Sequence, residues 1–212
     1  ILYVSDEVVT AFGRLGHMFA SEDAFGIVPD IISSAKGLTS AYAPLSATII
    51  SDEIYDVISV PQAEGSVFAH GFTYSGHPVC CAAAVENIAI LEREDICGHV
   101  QRVGPYFGER LASLADLGIV GDVRGSHFMQ CVENVADKET KELFDPSVHV
   151  GDRVADACEK RGLIVRPIAH LNVLSPPLVL SVEQIDWMVD TLREGIIEVQ
   201  ADLIAEGLWS PE

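Results

Sequence analysis

The chain carries little positive charge and no long apolar run, and each of these shortages argues against a class of binding partner. Only 13 lysines and arginines stand against 32 aspartates and glutamates, which gives a formal net charge of −19. A surface this acidic repels nucleic-acid phosphates and anionic membranes. No apolar stretch reaches the roughly 18 residues that a membrane-spanning helix needs, and no signal peptide is recognisable. The sequence therefore predicts no nucleic-acid or membrane partner.

Cysteine is also scarce, and its spacing follows no disulfide framework. There are five cysteines, and Cys80 and Cys81 are adjacent and badly placed to bridge each other. An odd count without a framework is typical of free thiols in a reducing compartment, which predicts a cytoplasmic location. His70 and His77 lie seven residues apart with no third ligand at metal-site spacing, so no metal site is predicted.

What the chain has is apolar bulk, since hydrophobic residues make up 49% of its 212 residues. That is enough for a sizeable core. With only four lysines, the apolar excess indicates that another chain covers part of the surface. The chain opens on Ile1-Leu2-Tyr3-Val4, without an initiator methionine, as if a strand were already under way. We therefore expect further sequence upstream.

Alternating strand and helix signals predict an α/β protein. In the first part, strands are expected at 1–4 and 45–50, a helix start at Ser51, and an alanine-rich helix over 80–91. The composition changes near residue 95. Beyond it, helices are expected at 100–117 and 148–161, strands at 119–124, 128–135, 163–167 and 171–174, and a last helix whose capping box is Ser181 with Gln184.

Three features in series predict a cofactor site. Lys36 lies in a turn of small residues before Gly37, where a partly desolvated amine can act as a nucleophile. Asp6 follows the first strand, where open α/β sheets place ligand-binding groups. Thr73 lies in a loop rich in glycine and hydroxyl groups just before a helix, a setting that can hold a phosphate. Taken singly, each also fits a surface lysine, a capping aspartate or an ordinary turn. Together they suit pyridoxal phosphate, which needs an amine, an acid and a phosphate cradle.

The same stretches resemble the class III, or omega, aminotransferases, most of all the branch that uses pyruvate as amino acceptor. The resemblance rests on Asp6-Glu7-Val8 with Phe12-Gly13-Arg14, on 35–40 (AKGLTS) and on 70–78 (HGFTYSGHP), and it continues in 132–144 and 163–178. It covers nearly the whole chain, but only the C-terminal half or so of a family member.

The resemblance implies the α/β type I fold of pyridoxal-phosphate-dependent transferases. Residues 1–95 would be the C-terminal part of the large cofactor-binding domain with its parallel sheet, and 96–212 the small α/β C-terminal domain. The implied function is a pyridoxal-phosphate-dependent aminotransferase that moves an amino group from an amine or ω-amino acid to a keto acid such as pyruvate. Two alternatives stay open: an aminomutase or decarboxylating transaminase of the same fold, and a non-catalytic fragment lacking the upstream half.

The resemblance also assigns roles to residues. Lys36 would carry pyridoxal 5′-phosphate as a Schiff base, Asp6 would pair with the pyridine nitrogen, and Val8 would pack against the ring. Thr73 and the backbone N–H of Phe72 would contact the phosphate of the neighbouring subunit's cofactor, which implies a homodimer with shared active sites.

The substrate side is assigned to Arg166, which would bind the carboxylate of an amino or keto acid. A planar guanidinium binds a carboxylate through two hydrogen bonds. An interdomain or surface salt bridge is the other interpretation of this arginine. The chain departs from the family pattern at Ala11, where glycine is usual, and at Ala169-His170, where Gly-Asp is frequent. The second departure leaves the amino donor undetermined.

Overall fold

A mixed three-stranded sheet forms the frame of the first part of the chain. Strand β1 (Val4–Asp6) pairs in parallel with β2 (Ile31–Ser34), and β2 pairs antiparallel with β3 (Ala47–Ile50). Because β1 and β2 run in the same direction, their carboxyl ends lie at the same edge of the sheet. This edge is where the sequence predicts the cofactor site.

The computed structural model describes residues 1–61 and 63–211. These divide into two units, Ile1–Gly98 and His99–Glu212. The sequence places a boundary between residues 95 and 96, and the roles of the two parts as cofactor domain and small domain stay a prediction.

Three helices complete the first unit: α1 (Ala20–Asp23), α2 (Asp52–Ile58) and α3 (Pro78–Arg93). The longest, α3, contains the predicted alanine-rich segment 80–91. Alanine has the highest helix propensity, and Pro78 stands in the first turn, where its missing N–H leaves no helical hydrogen bond unmade. The loop that carries Thr73 therefore leads directly into the N-terminus of a helix, as predicted.

The remaining elements are α4 (Ile96–Ala112), β4 (Val120–Ser126), β5 (Met129–Asn134), α5 (Val150–Glu159), β6 (Arg166–Ile168), β7 (Leu171–Leu174) and α6 (Val182–Ala205). The four strands form an antiparallel sheet in the order β4-β5-β7-β6. Ser181 and Gln184 form the predicted capping box at the start of α6.

Apolar side chains of the two long helices of this part, α4 and α6, lie in its core. Phe107 contacts Phe128 edge to face, with ring centroids 5.9 Å apart, and both side chains are fully buried. On α6 the buried apolar residues repeat at helical spacing, namely Ile185, Met188, Val189, Leu192, Ile196, Val199 and Leu203. The α/β class predicted from the sequence is confirmed.

The predictions for the first strands were partly wrong. Pairing begins only at Val4 opposite Ile31, so the apolar residues Ile1 and Leu2 precede the strand and are exposed. The sequence analysis did not predict β2 as a strand, because only two of its four residues are apolar. The third strand runs antiparallel to β2, where a parallel unit was expected.

The first unit exposes many large apolar side chains. Examples from its strands, helices and loops are Val4, Phe25, Val28, Tyr42, Tyr55, Val57, Val67, Phe68, Phe72, Tyr74 and Val85. Where such side chains form a contiguous patch, they mark an interaction surface in soluble proteins. That a second chain covers it stays a prediction. Among the described residues, no helix is long and apolar enough to cross a membrane.

Candidate active site

Asp6 and Lys36 lie at the same edge of the first sheet. Asp6 ends β1 and stands opposite Ser33 of β2, and Lys36 follows Ser33 by three residues. The backbone N–H of Glu7 donates to the carbonyl of Ser33 over 2.8 Å, which extends the pairing one residue past the strand. Neighbouring strands lie about 4.8 Å apart, so the backbone at Asp6 and the segment that leads to Lys36 leave the sheet at the same edge.

The backbone at Lys36 is strained. Its φ is +33°, in the region that residues with a side chain rarely adopt, and it opens a short 3₁₀ turn over Lys36–Leu38. The turn is closed by the N–H of Leu38 donating to the carbonyl of Ala35 over 2.8 Å. The Lys36 side chain is exposed. The chain's own residues therefore do not provide the desolvation that the small-residue turn predicted.

Gly37 has no room for a side chain, and this explains the glycine after the lysine. A Cβ at this position would lie 2.8 Å from the Cβ of Phe12 and 3.3 Å from the carbonyl oxygen of Ala11. Both neighbours are buried. The segment 11–14, which carries part of the family resemblance, thus packs directly against the lysine turn.

The Asp6 side chain is exposed, and its Oδ1 accepts a hydrogen bond from the N–H of Val8 over 3.0 Å. This contact holds the turn that places Val8 just beyond the sheet edge. It fits a capping aspartate and equally fits a carboxylate fixed in place for a ligand, so the geometry alone leaves both interpretations open.

Glu7, between these two residues, is a buried carboxylate that the sequence analysis did not single out. It is 1% exposed. Its Oε1 accepts from the N–H and the hydroxyl of Ser21, and its Oε2 accepts from the N–H of Ala20 over 2.8 Å and the Thr10 hydroxyl over 3.1 Å. Burial raises the pKa of Glu7, but these hydrogen bonds outweigh it and hold the pKa below its usual value. Glu7 thereby ties the segment 10–21 to the end of β1.

Glu7→Gln is expected to destabilise the complete protein by about 2–3 kcal/mol at pH 7, because an amide NH2 replaces Oε2 and faces two donors. A carboxyl whose pKa is lowered by folding stabilises the protein above its unfolded pKa, and this contribution is lost as the pH falls through the folded pKa. Unfolding free energies of wild type and variant should therefore converge in acid. The matched control is Glu22→Gln, at an exposed position of α1. Equal stability of the two variants at pH 7 would contradict the role given to Glu7.

In the loop 70–78, the residues predicted to bind a phosphate are exposed to solvent. Phe72 and Thr73 are both exposed, and the loop continues into α3 at Pro78. The Phe72 N–H already donates to the hydroxyl of Ser75 over 2.9 Å. To bind this N–H, a phosphate oxygen would have to replace the Ser75 hydroxyl as acceptor. The Thr73 hydroxyl makes no hydrogen bond within the described residues.

Arg166 opens β6 in the second unit and is exposed. The hairpin that joins β6 to β7 turns at Ala169, whose φ is +53°. Glycine takes this conformation without strain, which gives a physical reason why glycine is frequent here in the family pattern. The next residue, His170, contacts Glu133 of β5, with Nε2 and Oε1 2.9 Å apart. Ala169 and His170, which differ from the family pattern, therefore lie in the turn. Strand β6, which begins at Arg166, forms in spite of this difference.

A cavity or a cluster of metal-binding side chains is the other kind of place where a site could lie. In the second unit a cavity of about 330 Å³ is lined mainly by apolar groups, with His149, Asp152 and His170 at its border. Across the described residues, no group of three or more histidine, cysteine, aspartate or glutamate side chains is placed to hold a metal ion. The edge that carries Asp6 and Lys36 remains the strongest candidate.

Comparison with known proteins places the chain in a family. The family model for class III aminotransferases matches residues 1–196. An uncharacterised aminotransferase of Sinorhizobium fredii is 44% identical over 98% of this chain and 45% of that protein. A probable gamma-aminobutyrate transaminase of Oryza sativa subsp. japonica is 45% identical over 92% of this chain and 41% of that protein.

Solved structures agree with the sequence relatives. A PLP-bound amine transaminase from an uncultivated Pseudomonas species superposes with a TM-score of 0.90 at 40% identity. The match covers 94% of this chain and 45% of that one. The chain spans less than half the length of the curated relatives it matches.

Proposed function

The chain belongs to the class III aminotransferases, and we propose that it forms the lysine-bearing part of an enzyme that moves an amino group from an amine or ω-amino acid to a keto acid such as pyruvate. One observation supports the proposal within the family: β1 and β2 run parallel, so Asp6, at the end of β1, and the segment that leads from β2 to Lys36 leave the sheet at the same edge. The alternatives with an aminomutase or a decarboxylating reaction require the same two groups, so the reaction itself has to decide among them.

The residues at this edge fit pyridoxal phosphate by their chemistry. A primary amine stands on a strained turn, a carboxylate stands one strand away, and both side chains are exposed to a ligand. When bound, pyridoxal phosphate supplies an electron sink for the carbon that bears the amino group. Members of this family use this cofactor, and one of the solved relatives is PLP-bound.

Each residue of the edge then has a distinct task. Lys36 would hold the cofactor covalently through Nζ, and as a free amine it can take up and return a proton at the substrate carbon. Asp6 would keep the proton on the pyridine nitrogen, because a carboxylate stabilises the cationic ring. Val8 would pack on one face of the ring and limit access of water to it.

We propose a homodimer for the complete enzyme, in which Thr73 and the N–H of Phe72 contact the phosphate at the partner's site. The exposed position of both residues and the apolar surface of the first unit support this arrangement. We also expect a reducing compartment, the cytoplasm, because all five cysteines are free thiols in the structure.

The reaction is tested with the complete protein, pyridoxal phosphate, pyruvate as acceptor, and either benzylamine or 4-aminobutyrate as donor. Alanine that forms only when both donor and pyruvate are present supports the proposal. Carbon dioxide released with the amino transfer would favour a decarboxylating transaminase, and isomerisation of an amino acid without pyruvate would favour an aminomutase. If no product forms and bound cofactor gives no visible absorbance, the result would favour the non-catalytic alternative.

Arg166 is proposed to bind the carboxylate of the keto acid. Arg166→Ala is expected to raise KM for pyruvate roughly 10- to 100-fold, since it removes charge-assisted hydrogen bonds worth about 1.5–3 kcal/mol. KM for benzylamine, which has no carboxylate, should change little. Arg93→Ala is the matched control, because Arg93 is exposed and makes only loose surface ion pairs with Glu86 and Glu94. An unchanged KM for pyruvate in the Arg166 variant would contradict the proposal and leave Arg166 as a surface arginine without a role in substrate binding.

A further inference from the structure

We propose that Asn87, in the middle of α3, is a positioning residue for Lys36. The inference rests on the proposed function, in which Lys36 holds the cofactor. Asn87 lies outside the turn and 51 positions along the chain from the lysine, and its side chain contacts Gly37, Leu38 and Ser40, which follow Lys36 in the turn. The sequence alone shows Asn87 only as one of several polar residues on an alanine-rich helix.

The Asn87 amide makes three hydrogen bonds to the lysine turn. Its Nδ2 donates to the carbonyl of Gly37 over 2.8 Å and to the carbonyl of Leu38 over 3.1 Å, and its Oδ1 accepts from the Ser40 hydroxyl over 2.7 Å. A carbonyl oxygen can only accept, so the amide nitrogen must be the end that faces the two carbonyls. The hydrogen-bonding pattern therefore fixes the orientation of the amide.

Two of the hydrogen bonds that the turn makes for itself are longer than those from Asn87. The N–H of Thr39 donates to the carbonyl of Lys36 and the N–H of Ser40 to that of Gly37, each over 3.3 Å. Both are at the long end of the range for backbone hydrogen bonds. Besides the 2.8 Å hydrogen bond from Leu38 to Ala35, the short hydrogen bonds on Gly37 and Ser40 thus come from Asn87.

The turn is held from two directions. Phe12 and Ala11 pack so closely on Gly37 that a Cβ there would collide with them, and Asn87 binds the carbonyl side. A strained residue such as Lys36, with φ at +33°, keeps its conformation only where the surroundings impose it. Releasing one of the two supports should let the turn relax and shift the base of the lysine side chain. A shift of about 1 Å in a reacting group can lower a rate by about 10²-fold.

The test is Asn87→Asp in the complete protein, because this change keeps the size of the side chain but turns a donor toward two carbonyls into an acceptor. Glu86→Gln is the matched control, at an exposed neighbouring position of the same helix. The first readout is hydrogen–deuterium exchange of the amides of 38–40 in protein freed of cofactor, which needs no catalysis. We expect exchange there to rise at least about 10-fold in Asn87→Asp and to stay unchanged in Glu86→Gln.

The second readout is kinetic. In the cofactor-loaded enzyme, kcat should fall by roughly 10- to 100-fold while KM for amine and pyruvate changes less than about threefold, because the substrate contacts are untouched. Ser40→Ala, which removes only the hydroxyl that orients the amide, should give the same pattern with a smaller change. It also serves as the test if Asn87→Asp does not fold.

Wild-type exchange at 38–40 and wild-type kcat in both variants would overturn the proposal, even if the enzyme proves to be a transaminase. A fall in thermal stability with uniform exchange along α3 and no local change at 38–40 would also overturn it, because that pattern marks a purely structural residue. If the wild-type protein transfers no amino group, the proposed function fails, and the exchange measurement still decides whether Asn87 holds the turn.

Discussion

Lys36→Ala is expected to abolish amino transfer and leave the fold intact. The fall in kcat should be at least roughly 10²- to 10⁴-fold, the range for a lost acid–base group, and larger still because the covalent attachment is lost too. The fold should survive, since the Lys36 side chain is exposed and its Nζ makes no hydrogen bond or ion pair within the described residues. Alanine also inherits the positive φ without adding new strain.

The attachment itself is checked by mass. Borohydride reduction of the loaded wild-type enzyme, followed by peptide mapping, should place the pyridoxyl mass on the peptide that contains Lys36. The other lysines are Lys138, Lys141 and Lys160. Lys160→Ala is the matched control, because Lys160 is exposed and makes only a surface ion pair with Glu198 at 3.3 Å. Label on one of the other lysines, or full activity in Lys36→Ala, would overturn the assignment.

The sequence predicts best where periodicity and local chemistry agree. The stripe of α6 from Ile185 to Leu203 repeats at helical spacing over about five turns, and Ser181 with Gln184 marks the start of the helix. This signal lies within one segment of the sequence, so the helix can be predicted without knowing what packs against it. The α3 helix was predicted within two residues at each end, because alanine runs and a proline in the first turn are local signals as well.

The sheet of the first unit was harder to predict, because strands depend on partners distant in the sequence. Ile31–Ser34 becomes a strand by pairing with β1 on one side and β3 on the other, and half of its residues are serine. Preference for strands follows such surroundings more than the residues themselves. The same dependence explains why Ile1–Val4 looked like a strand although pairing starts at its last residue.

The sequence points to Asp6 and Lys36 as reactive groups, which stays a prediction, and it gives no signal for the residues that support them. Asp6 and Lys36 could be found because their types and order suit one cofactor. Glu7 and Asn87 could not, since a glutamate beside a strand and an asparagine on a helix are ordinarily exposed. Only the fold shows that one carboxylate collects four donors and that one amide holds the lysine turn.

Asp6→Asn is expected to lower kcat by roughly 10²- to 10³-fold, the loss seen when one preorganised electrostatic group is removed from an active site. An amide cannot hold a proton on the pyridine nitrogen as a carboxylate does, so the electron sink weakens. The fold should persist, because the asparagine carbonyl can still accept the hydrogen bond that Asp6 Oδ1 takes from Val8. Cofactor absorbance should shift even where cofactor is retained, which reports on the ring and not on stability.

The matched control for Asp6 is Asp30→Asn, at the opposite edge of the same sheet. Asp30 directly precedes β2, and its Oδ2 likewise accepts one backbone N–H, from Tyr3 over 2.7 Å. Both substitutions remove one charge and keep one acceptor, so they differ only in the edge at which the charge is lost. If the two variants have equal kcat and equal cofactor spectra, Asp6 is a turn cap and nothing more. A large loss confined to Asp6→Asn would instead make this carboxylate part of the chemistry at the edge that carries Lys36.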